Sequence, residues 1–196
     1  SGKRAKVSTE ALDKRLAVRF YLRTHNIMDT INFKGKEYPE FQSSGNFTRF
    51  AEPYAKELCK ALPDDPKGFD IGCNRPEWAF PNSKMIDTVL DDEWDAFNLP
   101  YKEAPYIFSS HCLEHIPRWF DALEYWTNCL KNSGTLFLYL PSYSQEYWRP
   151  WNNRKHNNIF TPEIIKDALL ALGYKNVFVG EPDLNDSFMA VGEKCK

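Results

Sequence analysis

Seven residues, Gly68 to Asn74, constrain this chain more than any other stretch. A short apolar run that contains Asp70 leads into Gly72 and then into a polar turn. This pattern predicts a buried strand that passes into a ligand loop, where a glycine without a Cβ lets the backbone approach a ligand closely. A loop that cradles a pyrophosphate needs Gly-x-Gly-x-x-Gly, and Gly72-Cys73-Asn74-Arg75-Pro76-Glu77 lacks the later glycines. The loop therefore favours a nucleoside-type cofactor without phosphates over a dinucleotide.

The composition is typical of one globular domain. The chain has 196 residues, of which 42% are hydrophobic and 27% charged, with a formal net charge of −2. This gives no general attraction to nucleic acid. Basic residues cluster over positions 1–23, which predicts a solvated helix face or an arm for an anionic partner. Cysteines without a Cys-x-x-Cys pair, and the lack of a long apolar run, predict a cytoplasmic protein that does not span a membrane.

Hydrophobic periodicity changes along the chain. Apolar spacing predicts helices over 8–25 and 47–62, and Lys34-Gly35-Lys36 between them predicts a turn in a loop or small hairpin. Further on, short apolar runs alternate with helices, which predicts an α/β sheet that is mostly parallel. The predicted strands cover 69–71, 84–87, 106–110, 135–140, 177–179 and 187–192, and the predicted helices cover 117–130 and 161–172.

Polar side chains fall at the ends of these predicted strands. In an open α/β sheet a ligand binds beyond the carboxyl ends of the strands, where the strand order reverses. The residues at or just after these ends are Asp70, Gly72, Asn74, Asp87, Asp95, Ser109, Ser110, His111, Pro141, Ser142 and Tyr143. The sequence therefore predicts one ligand site at this edge of the sheet.

The order and spacing of five segments resemble class I S-adenosylmethionine-dependent methyltransferases of the small type-11-like group. The segments are 69–73, 85–87, 95–100, 110–116 and 130–136, followed by a similar final helix from Phe160. The resemblance implies a Rossmann-like, doubly wound, mostly parallel seven-stranded sheet with an antiparallel C-terminal strand. It also implies S-adenosylmethionine as cofactor. We expect a helix and loop extension over 1–45 and a cofactor-binding methyltransferase domain over 46–196.

The resemblance assigns cofactor contacts to residues at the strand ends. Asp87 would accept hydrogen bonds from both ribose hydroxyls, while Asp95 and the Ala96 amide would face the adenine. Gly72 would give backbone access to the methionine portion, and Asp70 would orient the loop amides and the cofactor's amino group. Each of these residues also suits a purely structural place at a strand end or in a turn. The other expected cofactor residues are Asn74, Ser110 and His111.

The loop after Gly72 departs from the pattern of the family. It keeps one glycine where two or three are usual, and prolines stand at 76 and 81. We expect the usual helix to be truncated or lost, with Asn74 as its cap and Pro76 in a single first turn. The sparse loop also leaves open a protein that keeps the fold but has weak or no turnover.

The segment from His111 to His115 allows several interpretations. His111 lies where the donor methyl is expected, so it would act as a base or line the pocket without a proton role. His111, Cys112, His115 and the distant His156 would also supply four zinc-type ligands. Because the side chains of His111 and Cys112 diverge at a strand-to-helix junction, the sequence favours no metal. His156 is the second candidate for a general base.

Aromatic and basic residues are interleaved after the predicted strand over 135–140. Large aromatic rings with polar partners suit stacking on a sugar or another flat acceptor. The same mixture suits single-stranded nucleic acid, and a lid packed on the core is a further alternative. The resemblance places acceptor recognition near here. We expect acceptor contacts from Tyr143, Trp148, Trp151 and Arg154.

These observations favour a methyltransferase that acts on a small-molecule or saccharide acceptor. Methyl transfer is an in-line displacement, so the alignment of acceptor, methyl and sulfur matters more than any single group. An inactive cofactor-binding module is the second hypothesis. A nucleotide-dependent oxidoreductase is the third, and the missing pyrophosphate glycines argue against it. The net charge does not favour nucleic acid as a partner, and the sequence leaves the oligomeric state open.

Overall fold

The computed structural model describes residues 30–39, 68–80, 82–90, 93–183 and 186–195. The helices predicted over 8–25 and 47–62 lie outside these residues, and the domain boundary at residue 45 stays a prediction. Among the described helices, none is both long and apolar enough to cross a bilayer.

A small antiparallel hairpin precedes the main sheet. Strand β1 (Thr30–Phe33) pairs with β2 (Lys36–Pro39). The two turn residues, Lys34 and Gly35, have φ angles of +53° and +80°, the left-handed conformation that matches the twist of paired strands. The predicted turn is confirmed, and of the two alternatives, a loop or a small hairpin, the structure contains the hairpin.

In the part of the chain that the structure describes, the main sheet contains six strands in the order β4-β3-β5-β6-β8-β7. The bounds are β3 (Gly68–Ile71), β4 (Ser83–Ile86), β5 (Ala104–Ser110), β6 (Leu130–Pro141), β7 (Tyr174–Val179) and β8 (Ser187–Lys194). The pairs among β3, β4, β5 and β6 are parallel, whereas β8 runs antiparallel to both β6 and β7. The predicted mixed sheet with an antiparallel C-terminal strand is therefore confirmed.

The expected number of seven strands is wrong for the part of the sheet that the structure describes. The connection from β4 to β5 forms turns instead of a further strand. Residues 88–90 make one turn, and Asp95 and Asn98 close a second turn through an isolated bridge. Because these residues bond within their own turns, they do not extend the sheet beyond β4.

Two α-helices among the described residues pack against the sheet. Helix α1 (Trp119–Cys129) buries Leu123 and Trp126, and helix α2 (Pro162–Ala171) buries Ile165 and Leu169. Every residue of β5 is buried, as expected for a strand covered on both faces. The hydroxyl of Thr161 accepts a hydrogen bond from the Ile164 amide at 3.4 Å, and Pro162 is the first helical residue of α2. The predicted start of this helix is confirmed.

The loop after β3 contains one 3-10 turn, Pro76–Trp78, in place of a longer helix. The truncation predicted from the sequence is therefore confirmed. The capping position belongs to Arg75, with no side-chain hydrogen bond, so the prediction of Asn74 as the cap is wrong. Proline fits the first position because its missing N–H has no partner there in any helix.

Candidate active site

The carboxyl ends of β3, β4 and β5 form one edge. Ile71 stands opposite Ile86 on β4 and Ser109 on β5. The Gly72 amide donates to the Ile86 carbonyl at 2.8 Å, and the Ser109 hydroxyl donates to the Ile71 carbonyl at 2.9 Å. The chain leaves β3 for β4 on one side and returns to β5 on the other. Such a reversal creates the crevice where open α/β sheets bind ligands.

Gly72 is held in a conformation that side chains disfavour. Its φ is +90°, and an added Cβ would lie 2.5 Å from the Cβ of Cys112. A glycine is therefore required here for steric reasons alone. The predicted access of the cofactor's methionine portion to this backbone stays a prediction.

Asp70 is fully buried beneath this loop. Its Oδ2 accepts a hydrogen bond from the Phe80 amide at 2.8 Å, which ties the far end of the loop to β3. Its Oδ1 has no hydrogen-bond partner in the described residues. Burial raises the pKa of this carboxyl to about 7, although the bond from Phe80 lowers it. Asn74 lies half-buried in the same loop.

Asp87 and Asp95 each use one carboxylate oxygen in a turn. Asp87 Oδ1 accepts from the Val89 amide at 2.8 Å, and Asp95 Oδ1 accepts from the Phe97 amide at 2.6 Å. Within the described ranges, the second oxygen of neither acid accepts a hydrogen bond. The Ala96 carbonyl accepts from the Trp126 indole at 2.7 Å, which fixes the second turn to α1. Both acids thus retain an oxygen that can accept hydrogen bonds from a nucleoside.

His111 follows β5 with a φ of +49°, an uncommon value for a residue with a side chain. Its amide donates to the Tyr139 carbonyl at 2.9 Å, and its Nε2 lies 3.1 Å from the Ser187 hydroxyl. Burial, followed by the charges of His156 and His115, lowers the pKa of this imidazole well below its usual range. The neighbouring Ser110 hydroxyl is buried without a partner in the described chain.

Glu114 was not among the site residues predicted from the sequence. This side chain is fully buried in the 3-10 turn Leu113–His115, and burial raises its pKa to about 8. Its Oε1 lies 3.7 Å from His111 Nδ1 and 3.5 Å from His115 Nε2. The i,i+3 spacing of Glu114 from His111 was a signal, but an acid there also suits a helix start.

The loop between β6 and α2 contains both packed and exposed aromatic rings. Trp148 is 8% exposed and stacks on His156, with ring centroids 5.0 Å apart. Burial is the main cause that lowers the pKa of His156 to about 3. The packing favours the lid interpretation for Trp148, and its acceptor contact stays a prediction.

The other predicted acceptor residues lie at the surface. Tyr143 is 43% and Trp151 63% exposed, and Arg154 is also exposed. The Arg149 guanidinium lies 3.9 Å from the Tyr143 ring centroid and 5.9 Å from that of Trp151. We call Tyr143, Arg149 and Trp151 the aromatic patch. Arg149 is half-buried and covers one face of the Tyr143 ring, whereas Trp151 is mostly exposed.

Comparison with known proteins identifies the family of this chain. A family model described as a methyltransferase domain matches residues 44–179, so the chain belongs to the methyltransferase-domain family. No curated protein matches the chain in sequence.

Solved structures share the fold at low identity. A SAM-dependent methyltransferase from Archaeoglobus fulgidus is 16% identical, with a TM-score of 0.54 over 74% of this chain and 93% of its own. A possible histamine N-methyltransferase from Thermotoga maritima is 17% identical, with a TM-score of 0.55 over 76% of this chain and 98% of its own. The CMeT domain of citrinin polyketide synthase is 13% identical, with a TM-score of 0.55 over 78% of this chain and 56% of its own.

The protein is therefore a methyltransferase of the S-adenosylmethionine-dependent class, as the sequence resemblance predicted. S-adenosylmethionine is its cofactor. The strand-end residues fit this molecule, because Asp87 and Asp95 each keep an open oxygen and the loop after β3 lacks the later glycines of a pyrophosphate-binding loop. The individual contacts of Asp70, Gly72, Asn74, Asp87, Asp95, Ala96, Ser110 and His111 with the cofactor stay predictions.

Proposed function

We propose that this protein transfers a methyl group from S-adenosylmethionine to a small-molecule or saccharide acceptor that stacks on the aromatic patch. The patch is the observation that carries the proposal. Two exposed aromatic rings flank one guanidinium in the loop that follows β6, and β6 lies next to β5 in the sheet. Aromatic faces beside a cation suit the apolar face and the hydroxyl groups of a sugar ring.

The reaction requires alignment more than strong acid–base catalysis. S-adenosylmethionine would supply the methyl group, which would pass in line to an acceptor atom as the methyl–sulfur bond breaks. S-adenosylhomocysteine would be the leaving group, and the acceptor's proton would pass to a base or to solvent. Asp87 and Asp95 would hold the nucleoside, and good positioning alone supplies about 7–11 kcal/mol of the barrier. His111 is the first candidate to receive the proton and His156 the second. Their lowered pKa values keep both imidazoles neutral, as a base must be, but make them weak bases.

Trp151 is a better residue than Trp148 for testing acceptor binding by substitution. Trp148 is buried against His156, so its replacement would disturb packing. Trp151 is exposed and its loss leaves no cavity. Phe178 is a matched control. Its aromatic ring is 41% exposed, and its strand β7 lies at the opposite edge of the described sheet from β4.

The test measures transfer of a labelled methyl group to a panel of saccharides and small metabolites. We expect transfer to one acceptor class, with kcat/KM about 10-fold lower in Trp151→Ala because a stacking contact is lost. Affinity for S-adenosylhomocysteine should be unchanged, and Phe178→Ala should behave as the wild type. Tight cofactor binding without transfer to any acceptor would instead support an inactive module. Transfer to nucleic acid alone would overturn the proposed acceptor class.

A further inference from the structure

Three histidine rings converge on one oxygen of Glu114. The Oε1 atom lies 3.5 Å from His115 Nε2, 3.7 Å from His111 Nδ1 and 3.9 Å from His156 Nε2. These separations exceed those of good hydrogen bonds. In the described part of the chain, neither oxygen of Glu114 has a hydrogen-bond partner, and no lysine or arginine pairs with it. A buried carboxyl group keeps its proton, pairs with a cation or binds a metal ion, because an unpaired buried charge is costly.

The donor atoms lie close to the spacing of ligands that share a metal ion. The donor atoms of Glu114, His115 and His156 all lie within 4.8 Å of one another. Ligands held 2.0–2.1 Å from a tetrahedral ion lie about 3.3–3.4 Å apart. The two histidine nitrogens therefore need to approach the Glu114 oxygen by about 0.1–0.6 Å to coordinate one ion. The widest separation among the three donor atoms, at most 4.8 Å, must shorten by up to about 1.5 Å, which small rotations of the two imidazole rings can supply.

His115 already has the hydrogen bond that is typical of a metal ligand. Its Nδ1 lies 2.6 Å from the Lys155 carbonyl, and because a carbonyl only accepts, Nδ1 must carry the proton. The lone pair then resides on Nε2, which faces the carboxylate of Glu114. Metal-binding histidines almost always donate their other N–H in this way, since this fixes the tautomer and the ring orientation.

The two segments that carry these residues are bound to each other. The amides of Asn157 and Asn158 both donate to the Glu114 carbonyl, at 2.9 and 3.0 Å. The Asn157 side chain donates to the His115 carbonyl at 2.6 Å. The ring of His156 is held between these contacts and the face of Trp148. The three donor groups are therefore preorganised by backbone bonds that do not depend on an ion.

We propose that Glu114, His115 and His156 bind one divalent transition-metal ion of the zinc class. Two imidazoles and one carboxylate suit such ions and leave at least one coordination position open. The side chain of His115 is 45% exposed, which gives an ion access from solvent. Coordination by His156 would replace its predicted role as a base, and it would reverse the preference for no metal that the sequence suggested.

The experiment uses the full chain after treatment with a chelator. Zn²⁺ is titrated by calorimetry, and Co²⁺ is titrated by visible absorption. We expect one ion per chain and cobalt bands of a four- or five-coordinate site. With free Zn²⁺ at 100 times Kd, Tm should rise by roughly 5–10 °C.

His115→Ala decides the proposal, because the ring is partly exposed and its removal leaves the core intact. We expect a loss of affinity of more than about 100-fold. Glu114→Gln should also abolish binding, and Cys195→Ser removes an exposed thiol elsewhere and should bind as the wild type. Absence of saturable binding, or wild-type affinity in His115→Ala, would overturn the site. Neither readout uses cofactor or acceptor, so the result is independent of the proposed acceptor.

Discussion

A Cβ atom added to Gly72 would lie 2.5 Å from the Cβ of Cys112, at the point where the loops after β3 and β5 cross. The same residue has a φ of +90°, which residues with a side chain avoid. The backbone conformation and the contact with Cys112 therefore each require glycine at position 72. The sequence had explained this glycine only by the access that it gives a ligand to the backbone.

Gly72→Ala should lower the free energy of unfolding by about 2–5 kcal/mol. The left-handed backbone accounts for about 1–2 kcal/mol and the overlap with Cys112 for about 1–3 kcal/mol. Gly173 is a matched control, because it has a φ of +81° with no atom within 4 Å of an added Cβ. Gly173→Ala should lose only the backbone part. Equal losses in urea denaturation would show that the contact with Cys112 relaxes freely.

The fold was largely predictable because its signals are local. Short apolar runs predicted the ends of the described strands to within three residues, except that β6 begins five residues before its predicted start. Thr161-Pro162 predicted the start of α2. The seventh strand was expected from a resemblance rather than from residues. The turns at 88–90 and 95–98 are made by side-chain and backbone bonds within the turn itself, and no hydrophobic pattern there specifies a strand.

The site was predictable only where position along a strand determines it. Asp87 and Ser110 follow strand ends, so their place at the edge comes from the parallel sheet. The cluster around Glu114 depends instead on His156, 42 positions further along the chain. His156 is held close to Glu114 because the amides of Asn157 and Asn158, next to it in the chain, donate to the Glu114 carbonyl. Such backbone contacts have no periodic signal in a sequence.

Tyr125→Phe should weaken cofactor binding through the turn that contains Asp95. The Tyr125 hydroxyl accepts from the Leu99 amide at 2.9 Å and so fixes the end of this turn. Loss of one such bond is worth about 1 kcal/mol, or about 5-fold in affinity if the turn shifts. The measurement is calorimetry with S-adenosylhomocysteine.

The control for this variant removes a hydroxyl elsewhere. The Tyr174 hydroxyl lies 2.9 Å from that of Thr127. Tyr174 belongs to β7, which lies at the opposite edge of the described sheet from β4. Tyr174→Phe should reduce stability by about 1 kcal/mol and leave cofactor affinity unchanged. A parallel loss of affinity in both variants would attribute the effect to general destabilisation and not to the turn.

Asp70→Asn should change how stability depends on pH. Burial raises the pKa of Asp70 from 3.8 to about 7, so the folded state retains this proton between these values while the unfolded state loses it. The stabilising contribution of the protonated group is complete below pH 3.8 and is lost as pH rises through 7. The variant stays neutral and keeps an oxygen for the Phe80 amide.

The difference in unfolding free energy between Asp70→Asn and the wild type should therefore move in favour of the variant as pH rises from 4 to 8. Three pKa units correspond to roughly 4 kcal/mol at most. Urea denaturation at several pH values measures this difference. Asp167→Asn, an exposed acid on α2, should show no such trend. A constant difference for Asp70→Asn would mean that Asp70 is ionised throughout this range.

Asp87→Asn should weaken binding of S-adenosylhomocysteine by roughly 10–150-fold, because hydrogen bonds from ribose to a charged acceptor contribute about 1.5–3 kcal/mol. Asparagine retains an oxygen for the Val89 amide, so the turn after β4 and the stability of the domain should be preserved. Asp87→Ala should lose affinity to the same extent or more, and it also loses the turn contact. Calorimetry on both variants, with Asp167→Asn as the control, separates charge from turn geometry. Wild-type affinity in Asp87→Asn would place the ribose elsewhere on the edge, since no neutral amide reproduces two charge-assisted bonds.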